Sequence, residues 1–266
     1  MDWDCVSIPE VNVYASPFPL LRRAFSIAGF TTIENFGETT LDIIYRVVGK
    51  ATTWLQSLVV GDSISCLGPL GNAFPISKNK KQAWLVAGGV GLPPLLWLAE
   101  AMRNQGKTVV AFCGAQSRIL FPLSIIPQEP LDPTAQQARL SVLEFARHGV
   151  ATVLSTDDGS LGFHGRITEA LSRYRDANPG SSDTVAVYTC GPEPMMKSVA
   201  DIALKHGLEC HVCMERNMAC GLGTCQSCVV PVHDTLDDEG WSYKLCCTDG
   251  PIFRADEVIW KSARHP

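Results

Sequence analysis

The chain has 266 residues, 46% of them hydrophobic, and a formal net charge of −5. That length accommodates one large domain or two small ones plus a tail. The acidic balance argues against nucleic acid or an anionic membrane as partner, and no run approaches the ~18 apolar residues of a membrane span.

Residues 5–66 read as β structure. Val11-Asn12-Val13-Tyr14, Leu41 to Val48 and Ser63 to Leu67 are short runs rich in β-branched and aromatic residues, separated by turn signals. Trp54 to Leu58 suits a short helix, and Gly68-Pro69-Leu70-Gly71-Asn72 is turn chemistry. A small antiparallel barrel is the expected outcome.

The grammar changes near residue 83. Ala83 to Ala87 is a buried strand, Gly88-Gly89-Val90-Gly91 a turn, and Leu92-Pro93-Pro94 opens a helix to about Arg103. Strands at Thr108 to Phe112, Thr152 to Ser155 and Thr184 to Tyr188 alternate with helices at Ile167 to Arg175 and Glu193 to His206. This alternation implies a parallel sheet with crossovers. Phe121 to Gln137 carries four prolines and reads as an irregular excursion. The glycine turn lacks the full dinucleotide fingerprint. Its place between strand and helix still lets backbone approach a pyrophosphate at a helix N-terminus.

Eleven cysteines are present. Four residues separate Cys220 from Cys225, two separate Cys225 from Cys228, and Cys247 follows. This is the plant-type spacing of a 2Fe–2S cluster, with three thiolates on one loop and a fourth from further along. Gly221 and Gly223 supply positive φ and backbone N–H groups aimed at sulfur. Zinc sites usually pair two short Cys-x-x-Cys units, and the four-residue gap does not suit them. Disulfides imply secretion, yet Met1-Asp2-Trp3-Asp4 is acidic and no apolar h-region follows. The expected compartment is the cytoplasm, where clustered thiols hold metal. Cys210-His211-Val212-Cys213 has redox-motif spacing but lies in an apolar strand, so it reads as structural.

A nicotinamide delivers two electrons together and a 2Fe–2S cluster accepts one at a time. A flavin is the common cofactor that does both. Arg22-Arg23-Ala24-Phe25-Ser26-Ile27 offers a guanidinium for phosphate, a hydroxyl and an aromatic ring. Taken alone, the stretch reads better as an ordinary β-strand with surface arginines.

At this point the chain resembles the electron-transfer subunits of type B dihydroorotate dehydrogenases, within the ferredoxin–NADP reductase superfamily, over roughly residues 8–260. Leu20 to Ile27 is similar to the family's Leu-Leu-Arg-Arg-Pro-x-Ser-Ile flavin motif, and Ile44-Tyr45-Arg46 with Gly49 to Thr52 to its second flavin segment. Gly68 to Phe74 resembles its Gly-Pro-Leu-Gly-Asn-Gly-Phe turn. Thr156 to Ser160 and Thr189 to Met195 resemble nucleotide-domain signatures, and Glu215 to Gly221 opens the cluster loop as the family does. Cys247-Thr248-Asp249-Gly250-Pro251-Ile252-Phe253 resembles its Cys-x-Asp-Gly-Pro-Val-Phe, which selects Cys247 over Cys246 as fourth ligand. Three departures stand out. The stretch before the flavin motif is short, which predicts an open barrel edge. Ala24 and Ala51 replace a usual proline and glycine. The interval from Cys228 to Cys247 is long, with an acidic stretch from Asp234 to Glu239.

The resemblance implies a flavin barrel over residues 1–78, a nucleotide-binding α/β domain over 79–209 and a cluster domain over 210–266. It implies FAD on Arg23, Ala24, Phe25, Ser26, Ile44, Tyr45, Arg46, Ala51 and Thr52. NADH is expected at Gly88, Gly89, Gly91, Cys190, Gly191 and Pro192, and the cluster on Cys220, Cys225, Cys228 and Cys247. The electrons would pass to the FMN of a separate catalytic subunit, in a heterotetramer that serves pyrimidine synthesis. A superfamily reductase for another acceptor (a hydrogenase, a sulfide dehydrogenase or a ferredoxin) carries the same motifs. A non-enzymatic flavin or iron–sulfur sensor would hold the cofactors without turnover. No arginine for a 2′-phosphate is evident.

Overall fold

The computed structural model describes residues 22–33, 38–179 and 183–260. The expected strand Val11 to Tyr14, and Leu20 and Leu21 of the flavin motif, lie outside them. Strands β1 (Ile27–Ile33) and β2 (Glu38–Ile43) pair antiparallel. Helix α1 (Lys50–Gln56) begins where Thr52 Oγ1 accepts from the backbone N–H groups of Val48 and Gly49, at 2.9 and 3.1 Å. The expected strand at Ser63 to Leu67 is not formed. β-Branched residues favour a strand only where a partner edge exists, and Ile64 and Leu67 are instead exposed. Among the described residues, the N-terminal region holds one two-stranded sheet, and β2 stops at Ile43 rather than Val48.

The α/β part follows the expected order. β3 (Gln82–Gly88) leads through a short turn to α2 (Leu92–Asn104), β4 (Thr108–Ala115), α3 (Leu143–Ala146), β5 (Ala151–Thr156), β6 (Phe163–His164), α4 (Ile167–Ala177), β7 (Val185–Cys190) and α5 (Glu193–Lys205). β8 (Glu209–Cys213), β9 (Val229–His233), β10 (Trp241–Leu245) and β11 (Ile252–Arg254) complete the chain. One seven-stranded sheet has the order β11-β8-β7-β3-β4-β5-β6, parallel except for β11. Its central strands are apolar runs because helices cover both faces. Trp84 and Val86 of β3 face Phe112 and Tyr174, under α4 and α5. Ala83, Leu85 and Ala87 face α2. Each fully buried large side chain here stabilises the fold by about 1.5–3 kcal/mol.

The C-terminal segment is built onto this sheet. The domain boundary expected between residues 209 and 210 runs through β8, which is an integral sheet strand. β9 and β10 form a hairpin whose Val230 and Val232 share one core with Trp84 and Phe112. That sharing explains why the cysteine loop has a rigid base. On the other side, Phe30 of β1 meets Trp97 of α2 at a centroid distance of 6.2 Å. The Tyr188 hydroxyl donates to the Pro75 carbonyl at 3.0 Å.

Candidate functional site

β3 lies between β4 and β7, so the chain leaves it toward one side first and returns on the other. A crevice opens outside the carboxyl ends of strands at such a switch point. Gly88, Gly89 and Gly91 lie at the end of β3, and Cys190, Gly191 and Pro192 at the end of β7. The two turns touch backbone to backbone. A Cβ on Gly191, whose φ is +150°, would lie 2.9–3.0 Å from the Gly88 backbone, and one on Gly91 would run into the Cys190 carbonyl. Gly89 differs. Its φ is +54° and its Cβ position faces open space, so backbone is accessible there just before the α2 N-terminus. The Cys190 thiol does not face the crevice. It is fully buried, and its Cys213 neighbour together with burial pushes its pKa well up. At Cys190 itself, only backbone is left to border the crevice. Cys113, Gly114 and Phe121 also line the cleft beside Ala87, Gly89 and Leu92. Sequence reading missed them, although β4 alongside β3 brings Gly114 opposite Gly88.

The flavin motifs meet because they flank the β1–β2 hairpin. Ile27 pairs with Ile43, which sets Arg23 to Ser26 beside Ile44 to Arg46. The Phe25 and Tyr45 rings make an edge contact with centroids 6.0 Å apart. Arg22 Nη2 donates to Ser65 Oγ at 2.9 Å, and Arg23 Nη1 to the Arg22 carbonyl at 3.2 Å. Arg23, Ala24, Phe25 and Arg46 are exposed, while Ser26, Ile44, Tyr45, Ala51 and Thr52 are half-buried. Exposed guanidinium groups beside an aromatic pair fit a planar ring carrying phosphates. Thr52 is a partial exception, since its hydroxyl also caps α1.

The cysteine loop is shaped as its glycines predict. Gly221, Gly223 and Gln226 have φ of 74°, 81° and 53°. The N–H groups of Leu222 and Cys225 point at Cys220 Sγ, at 3.3 and 3.4 Å. Ser227, then the loop backbone and Cys220, pull the Cys225 thiol down to about 6, which favours thiolate at neutral pH. Cys247 lies against Cys228, and burial first and then that neighbour push its thiol up. Cys246, in the same core as Cys228 and Cys247, has a different partner. It is buried, its Sγ donates to the Met214 carbonyl at 3.0 Å, and burial raises it to about 12.

Cys225 is bonded through its N–H to Cys220 Sγ, and Cys247 lies against Cys228 and within electrostatic reach of Cys220. Among the described residues, no three His, Cys, Asp or Glu side chains converge as one metal ion would need. Four thiols on and beside one loop are the donor set of a 2Fe–2S cluster, two thiolates to each iron. The loop is also docked on the N-terminal region. A Cβ on Gly221 would meet Leu70 Cδ1 at 3.0 Å, and Asn72 holds the backbone of Asp249 to Ile252. The resemblance ranked Gly68 to Asn72 as a flavin-domain turn, yet here the turn also grips the cluster segment.

Comparison with known proteins agrees with this layout. The family described as the iron–sulfur cluster binding domain of dihydroorotate dehydrogenase B matches residues 215–259, and the oxidoreductase NAD-binding domain matches 85–201. The electron transfer subunit of dihydroorotate dehydrogenase B (NAD(+)) from Geobacillus kaustophilus is 36% identical over 254 residues, covering 94% of this chain and 84% of that protein. The subunit of the same name from Enterococcus faecalis is 34% identical over 246 residues, covering 90% and 81%. A chain of the NADH-dependent reduced ferredoxin–NADP oxidoreductase structure superposes with a TM-score of 0.65 at 28% identity, over 83% of this chain and 69% of that one. The FAD/NAD binding domain of nitric oxide dioxygenase from Vibrio cholerae superposes at 0.50 with 20% identity, over 71% and 75%, which shows the shared fold alone. With identity of this order over nearly the whole length, and the cysteine loop and switch point in register with their families, the chain belongs to the electron transfer subunits of dihydroorotate dehydrogenase B.

Proposed function

We propose that this chain passes electrons from NADH, through FAD and a 2Fe–2S cluster, to the FMN of a separate dihydroorotate dehydrogenase catalytic subunit, within a heterotetramer of the two subunit types. The chemistry of the bound groups is the splitting of an electron pair, taken together from a nicotinamide and delivered singly to the cluster. The chain's own residues bind and orient. Gly89 with the α2 N-terminus and the backbone of Cys190, Gly191 and Pro192 would receive NADH. Arg23, Ala24, Phe25, Ser26, Ile44, Tyr45, Arg46, Ala51 and Thr52 would hold FAD, with Arg23 on the phosphates and the Phe25–Tyr45 pair beside the ring. Cys220, Cys225, Cys228 and Cys247 would ligate the cluster.

The observation that carries this reading is the Cys220 to Cys228 loop, with the Leu222 and Cys225 N–H groups aimed at Cys220 Sγ and Cys247 against Cys228, while the Cys246 thiol is bonded to the Met214 carbonyl. Three functional segments, 1–78, 79–209 and 210–266, correspond to the three groups, although the last two share a core. Among the described residues no helix is long and apolar enough to cross a membrane, and the ten cysteines there are free.

The test is purification from the native host with any bound partner. The expected result is a co-purifying FMN protein, reduced by NADH only when this chain is present. Capture of a hydrogenase or ferredoxin instead would overturn the assignment of acceptor. Bound cofactors without NADH–dye turnover would make the chain a sensor.

A further inference from the structure

One cation ties the cysteine loop to the nucleotide side of the molecule. Arg216 lies four residues before Cys220. Its Nη1 donates to Glu193 Oε2 at 3.0 Å and to the Glu215 carbonyl at 2.9 Å, and its Nε donates to the Val229 carbonyl at 3.2 Å. Glu193 is the first residue of α5, directly after Cys190-Gly191-Pro192. Val229 directly follows Cys228. A single guanidinium therefore bonds to the helix that starts at the switch point and to backbone on both flanks of the loop. The side chains of Arg216 and Glu193 are 20% and 34% exposed, so solvent screens the pair only in part.

We propose that Arg216 is a positioning residue that, with Glu193, clasps the cysteine loop to the first turn of α5, and that the balance of these two charges tunes the reduction potential of the cluster. The proposal rests on the cluster assignment made above. An electron added to the cluster makes it more negative, so a nearby fixed cation favours the reduced form and a nearby carboxylate opposes it. Removing one charge uncovers the other. Arg216→Met leaves Glu193 unbalanced and lowers the potential, whereas Glu193→Gln leaves Arg216 unbalanced and raises it. The double variant cancels most of both changes. A clasp with a mechanical role only would shift both variants the same way, or neither.

The measurement is an EPR-monitored redox titration of the full-length chain carrying its cluster and flavin, with iron content read separately. Each single variant should shift the one-electron equilibrium up to tenfold, about 59 mV, in opposite directions, with the double variant close to wild type. Shifts of the same sign, or an unshifted Glu193→Gln, overturn the proposal. If Arg216→Met loses its iron, Glu193→Gln decides alone: a raised potential supports the proposal and an unchanged one defeats it. A wild-type chain with neither iron nor an EPR signal removes the cluster assignment itself, and the proposal with it.

Discussion

The side-chain amide of Asn72 pairs with the backbone of Ile252 on both sides. The Ile252 N–H donates to Asn72 Oδ1 at 2.8 Å, and Asn72 Nδ2 donates to the Ile252 carbonyl at 2.9 Å. The same Nδ2 reaches the Asp249 carbonyl at 2.9 Å, and the Asn72 N–H donates to the Gly250 carbonyl at 2.6 Å. One amide thus acts as a pseudo-strand on β11, the edge of the main sheet, two residues past Cys247's Asp249-Gly250 turn. The Gly68 to Asn72 turn and the segment that follows Cys247 are joined at this point.

Asn72→Ala should therefore loosen the cluster segment. It orphans the N–H of buried Ile252 and the carbonyl partners of Nδ2, at about 1–3 kcal/mol for each group that water does not reach. The expected loss is about 2–4 kcal/mol in stability, with faster iron release to a chelator and faster amide exchange at Ile252. Unchanged exchange at that amide would show that the pairing does not hold the edge.

The two adjacent cysteines should behave oppositely. Cys247→Ser is expected to bleach most of the visible cluster absorption. Cys246→Ser should keep it, losing only a buried thiol that donates to Met214 and costing stability rather than iron. Iron assay together with visible spectra decides the matter, and the reverse pattern would exchange the two assignments.

Arg23→Ala should weaken FAD retention. A charge-assisted hydrogen bond to phosphate contributes about 1.5–3 kcal/mol, so the dissociation constant should rise roughly 10- to 100-fold. Flavin content after gel filtration measures it. If the variant holds FAD as wild type does, the phosphates sit elsewhere.

Two glycines of one turn should report different things. Gly91→Ala drives a methyl into the Cys190 carbonyl and should destabilise the fold by about 1–3 kcal/mol, visible as a lower Tm. Gly89→Ala meets open space. Its φ of +54° costs about 1–2 kcal/mol, and its methyl stands where a nucleotide would approach. The second variant should raise KM for NADH several-fold, in addition to the Tm decrease that its strained φ produces. A nucleotide site away from this turn would leave that KM untouched.

Much of this protein is legible in its sequence because its strongest signals are local. Apolar runs such as Ala83 to Ala87 and Val185 to Cys190 are strands because each is buried on both faces, and the helices between them begin at Leu92 and Glu193 as proline placement requires. Cysteine spacing on a single loop is likewise local, and the positive φ of Gly221 and Gly223 follows from it. Signals that need a distant partner were not legible. Ser63 to Leu67 has strand composition but no ladder, because pairing depends on an edge that composition does not specify. The short β9–β10 hairpin and β11 escaped notice because each is stabilised by a core supplied by Trp84 and Phe112, over a hundred residues earlier. Residue types alone cannot say which of Cys246 and Cys247 faces the loop. Packing separates them: the Cys246 thiol is bonded to the Met214 carbonyl, and Cys247, buried in the same core, lies against Cys228. Tertiary structure alone also decided that Asn72 and Arg216 clasp the cysteine segment from two sides, since hydrogen bonds between residues 180 apart, as from Asn72 to Ile252, have no signature in local sequence.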